Sequence, residues 1–374
     1  MSPEWRGGLG FSDRFATISN IQQAYRAAYP DLTGGEVQNE SRALENELYK
    51  QSTSLMEAPH DSEREARLLV KARSGNIVPL LETFQLAGGR LVHVFPFMAY
   101  DLDTLLQRRL LSDGRKQSCL RDLMTGLAHL HSIGIIHRDI KPSNILLTSL
   151  NGPAYLADFG IAWSADDRAS EPEDQKVLDV GTTCYRPPEL LFGNQSYNHT
   201  LDLWAAGCVA AQVVCLGPQT LFDSGDLGSE LALIKSIFQT LGTPNLKVWP
   251  EAATFPDWGK MAFYEYPQKP WSEILPDTMT EARDLVASMV KYESKARLSA
   301  ESGHAFIVHV SSEGGNPAIA KSGYISIPAA KRPGMAVVLY SCHVESQSNT
   351  VHRVYNRMMY LYHESPEYNL NLGT

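Results

Sequence analysis

Two short apolar runs, IVPLLETF at 77–84 and RLVHVFPFM at 90–98, flank the pair Gly88-Gly89. Runs of this length, rich in β-branched and aromatic residues and interrupted by a glycine turn, predict strand, turn, strand. Upstream, EREARLLVKARS at 63–74 repeats its apolar positions at helical spacing. Asp61 or Ser62 opens this helix, and Ser62 with Glu65 three residues later fits a capping box. Beyond Leu102 helical periods take over. CLRDLMTGLAHLHSIG at 119–134 sets Leu120, Leu123, Leu127 and Leu130 on one stripe and stops at Gly134, an amphipathic helix with a glycine cap. DLWAAGCVAAQVV at 202–214 is apolar on nearly every side and is expected at the centre of a helical core. The change of period near Phe97 divides a smaller, strand-rich 1–97 from a larger, helical 98–302. Residues 303–374 run from Gly- and Ser-rich turns through one strand-like stretch, MAVVLYSCHV, to a Tyr-rich end. They are expected to form an extension, either a small subdomain or, as we prefer, a loosely ordered tail.

A chain of 374 residues with 43% hydrophobic content has enough apolar side chain for two compact lobes. Its formal net charge of -9 provides no broad positive field, which argues against nucleic acid or an anionic membrane as partner. The longest apolar stretch, 203–216, is too short to span a bilayer. Cys119, Cys184, Cys208, Cys215 and Cys342 are scattered and never spaced as C-x-x-C, the usage expected of an intracellular protein, cytoplasmic or nuclear, without disulfides or structural zinc.

The chemistry concentrates in His137-Arg138-Asp139-Ile140-Lys141-Pro142-Ser143-Asn144, followed by Asp158-Phe159-Gly160. Between them NILLT, a turn at Asn151-Gly152-Pro153, and AYLA read as a hairpin, which returns Asp158 beside Asn144. Two hard oxygen donors near the carboxylate of Asp139 suit magnesium, which takes its remaining ligands from phosphates and water. Phosphoryl transfer needs a carboxylate for the attacking hydroxyl, a cation near the moving phosphate and a metal clamp. Asp139, Lys141, and the pair Asn144 and Asp158 supply them in that order.

These motifs, over roughly 18–302, resemble those of eukaryotic Ser/Thr protein kinases. The resemblance implies an α+β bilobal kinase fold, with a small β-rich N-lobe and a larger helical C-lobe, that uses ATP and Mg2+. It implies catalytic roles for Asp139, Lys141, Arg138 and Thr182. Lys50, Glu65, Phe95, Met98, Asn144 and Asp158 would bind the nucleotide, with Asn144 and Asp158 as metal ligands. Glu65 would pair with the ATP-anchoring lysine, Phe95 would back the adenine pocket, and Pro96 to Met98 would be the hinge. Glu189 would pair with Arg297, and Asp202 would hold the backbone of the catalytic loop. YRPPELL, LDLWAAGCV and LGTPNLKVWP resemble the cyclin-dependent kinase group, and within it the fungal single-subunit kinases that activate cyclin-dependent kinases. A protein substrate follows, with another cyclin-dependent kinase as candidate.

Three departures shape the remaining expectations. In the expected glycine-rich loop at 17–22, Thr17, Ser19 and Gln22 replace glycines; Gly7-Gly8-Leu9-Gly10, further upstream, is the alternative phosphate loop. Lys50 is either the ATP-anchoring lysine or an ordinary surface lysine, and the second case admits a pseudokinase, a kinase fold that acts as scaffold. The intact Asp139, Lys141, Asn144 and Asp158 favour the enzyme. Glu63 stands where the family's cyclin-binding helix has isoleucine, so a cyclin-independent monomer is expected. Val177 stands where relatives carry a phosphothreonine, 171–180 contains no Ser or Thr, and Trp163 replaces one of three phosphate-collecting arginines. One of Glu171, Glu173, Asp174 and Asp179 is therefore expected on Arg138, unless these acids form a solvated charge run.

Overall fold

The computed structural model describes residues 33–35, 38, 59–85, 91–226, 228–313, 336–339 and 358–359. Lys50, Cys342 and both candidate phosphate loops lie outside the described residues. The chain divides into two compact units, one comprising Met1–Ala66, Pro79–Phe97 and Ser326–Thr374, the other Arg67–Val78 and Met98–Ile325.

Helix α1 (Pro59–Lys71) runs through one division. It starts earlier than the capping-box reading expects. Proline lacks the amide that a first helical turn leaves unbonded anyway, so Pro59 can open the helix and Ser62 falls inside it. In the first unit β1 (Glu82–Gln85) pairs antiparallel with β2 (Leu91–Pro96), Glu82 opposite Val94 and Gln85 opposite Leu91. The expected first strand is thus shorter than its apolar run; 77–81 adds an isolated bridge, Ile77 to Leu156, and a bond from Leu81 N to the Val94 carbonyl at 2.8 Å. β2 is buried from Val92 to Phe95. Within it the His93 ring lies 3.1 Å from the Ser62 carbonyl through Nε2 and 3.3 Å from Thr83 Oγ1 through Nδ1.

In the second unit, β3 (Tyr100–Asp101) and α2 (Leu102–Gln107) follow Met98. The Asp101 carboxylate caps α2, accepting from Thr104 N at 2.7 Å and Thr104 Oγ1 at 2.8 Å. α3 (Asp113–Ser132) buries Leu120, Leu123, Leu127 and Leu130, the expected stripe. Gly134, at φ 72°, takes the left-handed position just beyond its end. Short strands follow: β4 (Ile135–Ile136), β5 (Ile145–Leu147), β6 (Ala154–Leu156) and β7 (Trp163–Ser164). β5 and β6 form the expected hairpin, Ile145 opposite Leu156, and β4 pairs with β7.

After α4 (Pro188–Leu191) comes α5 (Thr200–Cys215), buried from Thr200 to Val213 as its sequence requires. α8 (Thr280–Met289) packs on it, α7 (Trp271–Ile274) packs on α8, and α6 (Glu230–Leu241) packs on α4. Gly207 lets α8 approach: a Cβ there would clash with Val290 and Met289. Arg297 binds Glu189 with both terminal nitrogens, at 2.5 and 2.7 Å, in full burial, and also donates to the Thr200 carbonyl at 3.0 Å.

α9 (Ala300–Glu313) packs on α3, with Gly303 against Met124 and Ile307 buried. The boundary expected after Ser302 falls inside this helix. From the strand-like stretch, β8 (Ala336–Leu339) pairs antiparallel with β2, and β9 (Met358–Met359) with β8, so the first unit's sheet runs β1-β2-β8-β9. Among the described residues no helix is long and apolar enough to cross a membrane.

Candidate active site

The loop between β4 and β5 carries the chemistry, and its backbone hangs on one buried side chain. Asp202, in the first turn of α5, accepts from His137 N through Oδ2 and from Arg138 N through Oδ1, both at 2.9 Å. His131 Nε2 lies 3.0 Å from its Oδ2. Burial alone would raise the Asp202 carboxyl; the His131 contact and the surrounding donors outweigh it and hold the group below the usual carboxylate range. Arg138 and Asp158 take left-handed backbone, φ 70° and 66°, a conformation costly for side chains other than glycine. The His137 ring, 3.0 Å from the Ala157 carbonyl and edge-on to Phe159, ties the two motifs together.

Asp139 is the hub. Its Oδ1 accepts from Thr182 N at 2.9 Å and Thr182 Oγ1 at 3.0 Å; its Oδ2 accepts from Lys141 Nζ at 2.7 Å and Asn144 Nδ2 at 3.2 Å. Lys141 also donates to Thr182 Oγ1 at 3.0 Å. Desolvation pushes the Asp139 carboxyl up, but the Lys141 ammonium, its hydrogen bond and the Thr182 hydroxyl hold it below the ordinary value. A carboxylate offers about four lone-pair sites, and all four are taken. The longest of the four bonds, at 3.2 Å, is the one from Asn144.

Asn144 gives its amide hydrogens to the Asp139 carbonyl, at 2.9 Å, and carboxylate. Its own carbonyl oxygen therefore remains for a cation. The hairpin sets Asp158 one residue past Ala157, whose amide bonds the main-chain carbonyl of Asn144 at 3.0 Å and leaves its side-chain oxygen aside. Two hard oxygen donors on adjacent strand ends fit magnesium, which asks few ligands of a protein. Asp139, Lys141, Thr182, Arg138, Asn144 and Asp158 are thus gathered in the second unit. Glu65 and Phe95 are buried in the first, each about 2% exposed, and Met98 is buried at the start of the second.

The segment between Gly160 and Glu189 is held by side-chain contacts to the catalytic loop and within itself. Arg138 Nη1 donates to Glu171 Oε1 at 3.1 Å and Oε2 at 3.3 Å, so of the four acids weighed from the sequence it is Glu171 that docks. Arg138 Nε and Nη2 are buried with no hydrogen-bond partner among the described residues. Trp163, in place of the missing arginine, donates its indole N–H to the Glu171 carbonyl at 2.9 Å.

Lys176, which the sequence reading passed over, is 1% exposed and bonds the Glu173 carbonyl. Its ammonium lies 4.6 Å from the Trp163 ring centre and 5.4 Å from that of Tyr197. Burial lowers its pKa. The only signal for it in the sequence is a single base inside an acidic run. Asp179 docks elsewhere, on Arg186, which also binds Glu230 and donates through Nε to the Gly181 carbonyl at 3.0 Å. Gly181 itself is left-handed, φ 72°, and a Cβ there would meet the Arg138 carbonyl at 2.8 Å.

Residues 42–306 match the Protein kinase domain family. The chain is similar to Serine/threonine-protein kinase csk1 of Schizosaccharomyces pombe, 40% identical over 242 residues, 64% of this chain and 78% of that one. Human Cyclin-dependent kinase 20 is 34% identical over 246 residues, 65% of this chain and 68% of the relative. Among solved structures, a chain of the yeast RNA Pol II CTD kinase CTDK-1 complex superposes with a TM-score of 0.59 at 27% identity, covering 66% of this chain and 80% of that one.

Proposed function

The chain belongs to the protein kinase family and is a Ser/Thr protein kinase of the cyclin-dependent kinase group; from this premise we propose that it acts as a single subunit on the activation segment of another kinase of that group, using Mg2+ and ATP. An intracellular setting, cytoplasm or nucleus, belongs to the same proposal.

The observation that carries the transfer chemistry is the four-donor environment of Asp139. The acceptor hydroxyl replaces the Asn144 amide on Oδ2, and the carboxylate orients it and takes its proton as the oxygen–phosphorus bond forms and the bond from the γ-phosphorus to the bridging oxygen breaks. Lys141, held by Asp139 and Thr182, places a positive charge where the transferred group gathers negative charge. Asn144 and Asp158 would hold magnesium, which when bound neutralises phosphate charge.

Support for action without a cyclin comes from Glu63, exposed on α1 where an apolar partner pocket would demand an uncharged side chain. Glu171 on Arg138 supports independence from activating phosphorylation. The test is transfer from labelled ATP, with magnesium and no added cyclin, to a catalytically dead cyclin-dependent kinase, with Asp139→Asn as control. Labelling of a hydroxyl in the acceptor's activation segment, lost in the control, is expected. Nucleotide binding without transfer would instead establish a scaffold, and activity appearing only with a cyclin would overturn the single-subunit reading.

A further inference from the structure

On a helix, residues four apart share a face, and on α1 that pair is Arg67 and Lys71. Both reach the first turn of the activation segment. Arg67 binds Asp167 in the two-pronged manner of guanidinium on carboxylate, Nε to Oδ2 at 2.7 Å and Nη2 to Oδ1 at 3.0 Å. Lys71 Nζ reaches Asp166 Oδ2 at 2.9 Å and Ser164 Oγ at 3.0 Å. The Asp167 side chain is only 8% exposed and that of Arg67 35%, so the carboxylate end of this pair is withdrawn from solvent, whereas Asp166, at 81%, leaves the Lys71 pair at the surface.

The receiving turn is itself built around Asp167. Its Oδ1 accepts from Ala169 N at 2.9 Å, its amide bonds the Ser164 carbonyl at 3.1 Å, and its carbonyl accepts from Ser170 N at 3.0 Å. Ser164 lies in β7, opposite Ile135 of β4, and β4 leads directly into His137 and Asp139. The turn that Arg67 and Lys71 hold is thus joined, through the β4–β7 pair, to the strand that leads into the catalytic loop. Glu65 rides on the same helix two residues before Arg67, some 200° around the axis at 100° per residue. A rotation of α1 that broke the Arg67–Asp167 fork would carry Glu65 out of place.

We propose that Arg67 and Asp167, with Lys71 and Asp166 beside them, are positioning residues: their ion pairs fix the rotation of α1 against the start of the activation segment, so that one chain sets the helix that other kinases set with a partner subunit. This rests on the reading of the chain as a kinase in which Glu65 serves nucleotide binding. Asp167→Asn can keep the turn bond to Ala169 through Oδ1 but exchanges the Oδ2 acceptor of the Arg67 fork for an amide donor, and Arg67→Gln removes the guanidinium, so either single change breaks the fork.

In the full chain Arg67→Gln, Asp167→Asn and the double variant are compared for the KM of ATP, the KM of the protein acceptor and kcat. The clamp predicts that each single change raises the KM of ATP about tenfold, the coupling expected of a close charge pair, with the acceptor KM unchanged and the double variant no worse than either single. Additive losses, equal changes in both KM values, or no change would overturn it. Should the unaltered chain transfer no phosphate, it is the kinase reading that fails. Amide hydrogen exchange along 59–71 then decides the clamp alone: faster exchange in Arg67→Gln supports it, and unchanged exchange refutes it.

Discussion

Asp139 spends all four of its acceptor sites on Thr182, Lys141 and Asn144, which sets both its charge and its replaceability. Asp139→Asn keeps the shape but turns an amide toward donors and removes the proton acceptor. Turnover should fall about 10²- to 10⁴-fold, with the melting temperature within a few degrees of wild type by calorimetry. Asp158→Asn should instead raise the magnesium and ATP concentrations needed for half-maximal rate, because it weakens an oxygen ligand. In the proposed role the ionised form of Asp139 is the working one, and its pKa is lowered on folding. Activity is therefore present above that pKa and lost as pH falls through it. The acid limb of kcat/KM should lie below the ordinary aspartate value of about 3.9, and a limb near neutrality would assign the loss to another group.

Among the elements, the activation segment and β2 make separate claims. Glu171 on Arg138, Lys176 between Trp163 and Tyr197, and the Tyr197 hydroxyl on the Val177 carbonyl at 2.7 Å hold the segment, and the proposal is that they stand in for a phosphate. Treatment with a broad phosphatase should leave activity unchanged, whereas Glu171→Gln should lower it several-fold; the reverse pattern would show that a phosphate does the ordering.

In β2, burial depresses the pKa of His93 although its bond to the Ser62 carbonyl opposes this. The unfolded chain then binds the proton more readily, so stability holds above the unfolded histidine value of about 6.5 and falls as pH drops from there toward the folded pKa. His199, lowered by burial and by His131, acts in the same sense. Melting temperature against pH should show this acid loss, and His93→Gln should flatten part of it. The Glu189–Arg297 pair is a further liability: Arg297→Met strands a buried carboxylate and should cost roughly 3–5 kcal/mol in denaturant unfolding.

For the whole molecule, the second unit extends past the catalytic sequence. A chain ending at Ser302 loses Ile307 and bares the face of α3 around Met124, at a cost on the order of 2 kcal/mol for each large apolar side chain uncovered. Such a truncation should melt several degrees below the full chain; equal melting would mean that α9 adds nothing. Much of this molecule was legible from local pattern. The stripe on α3, the all-round apolar α5, the β5–β6 hairpin and the cluster Asp139, Lys141, Asn144 and Asp158 follow from periodicity and short-range motif spacing, because residues close in sequence are forced to be close in space. Asp202 on the catalytic loop and Glu189 with Arg297, 65 and 108 residues from their partners, were legible for another reason: family resemblance supplied the long-range partner.

Local pattern could not decide where α1 begins, because proline at a first turn and serine at a cap are both permissible starts, nor which of four acids meets Arg138. It gave no sign of Lys176 in its aromatic cage, of β8 beside β2, or of Arg67 gripping Asp167. These partners lie far apart along the chain, a hundred residues for the last pair. Their pairing is set by how packed elements present their faces, a choice that the hydrophobic and polar pattern of either segment alone leaves open.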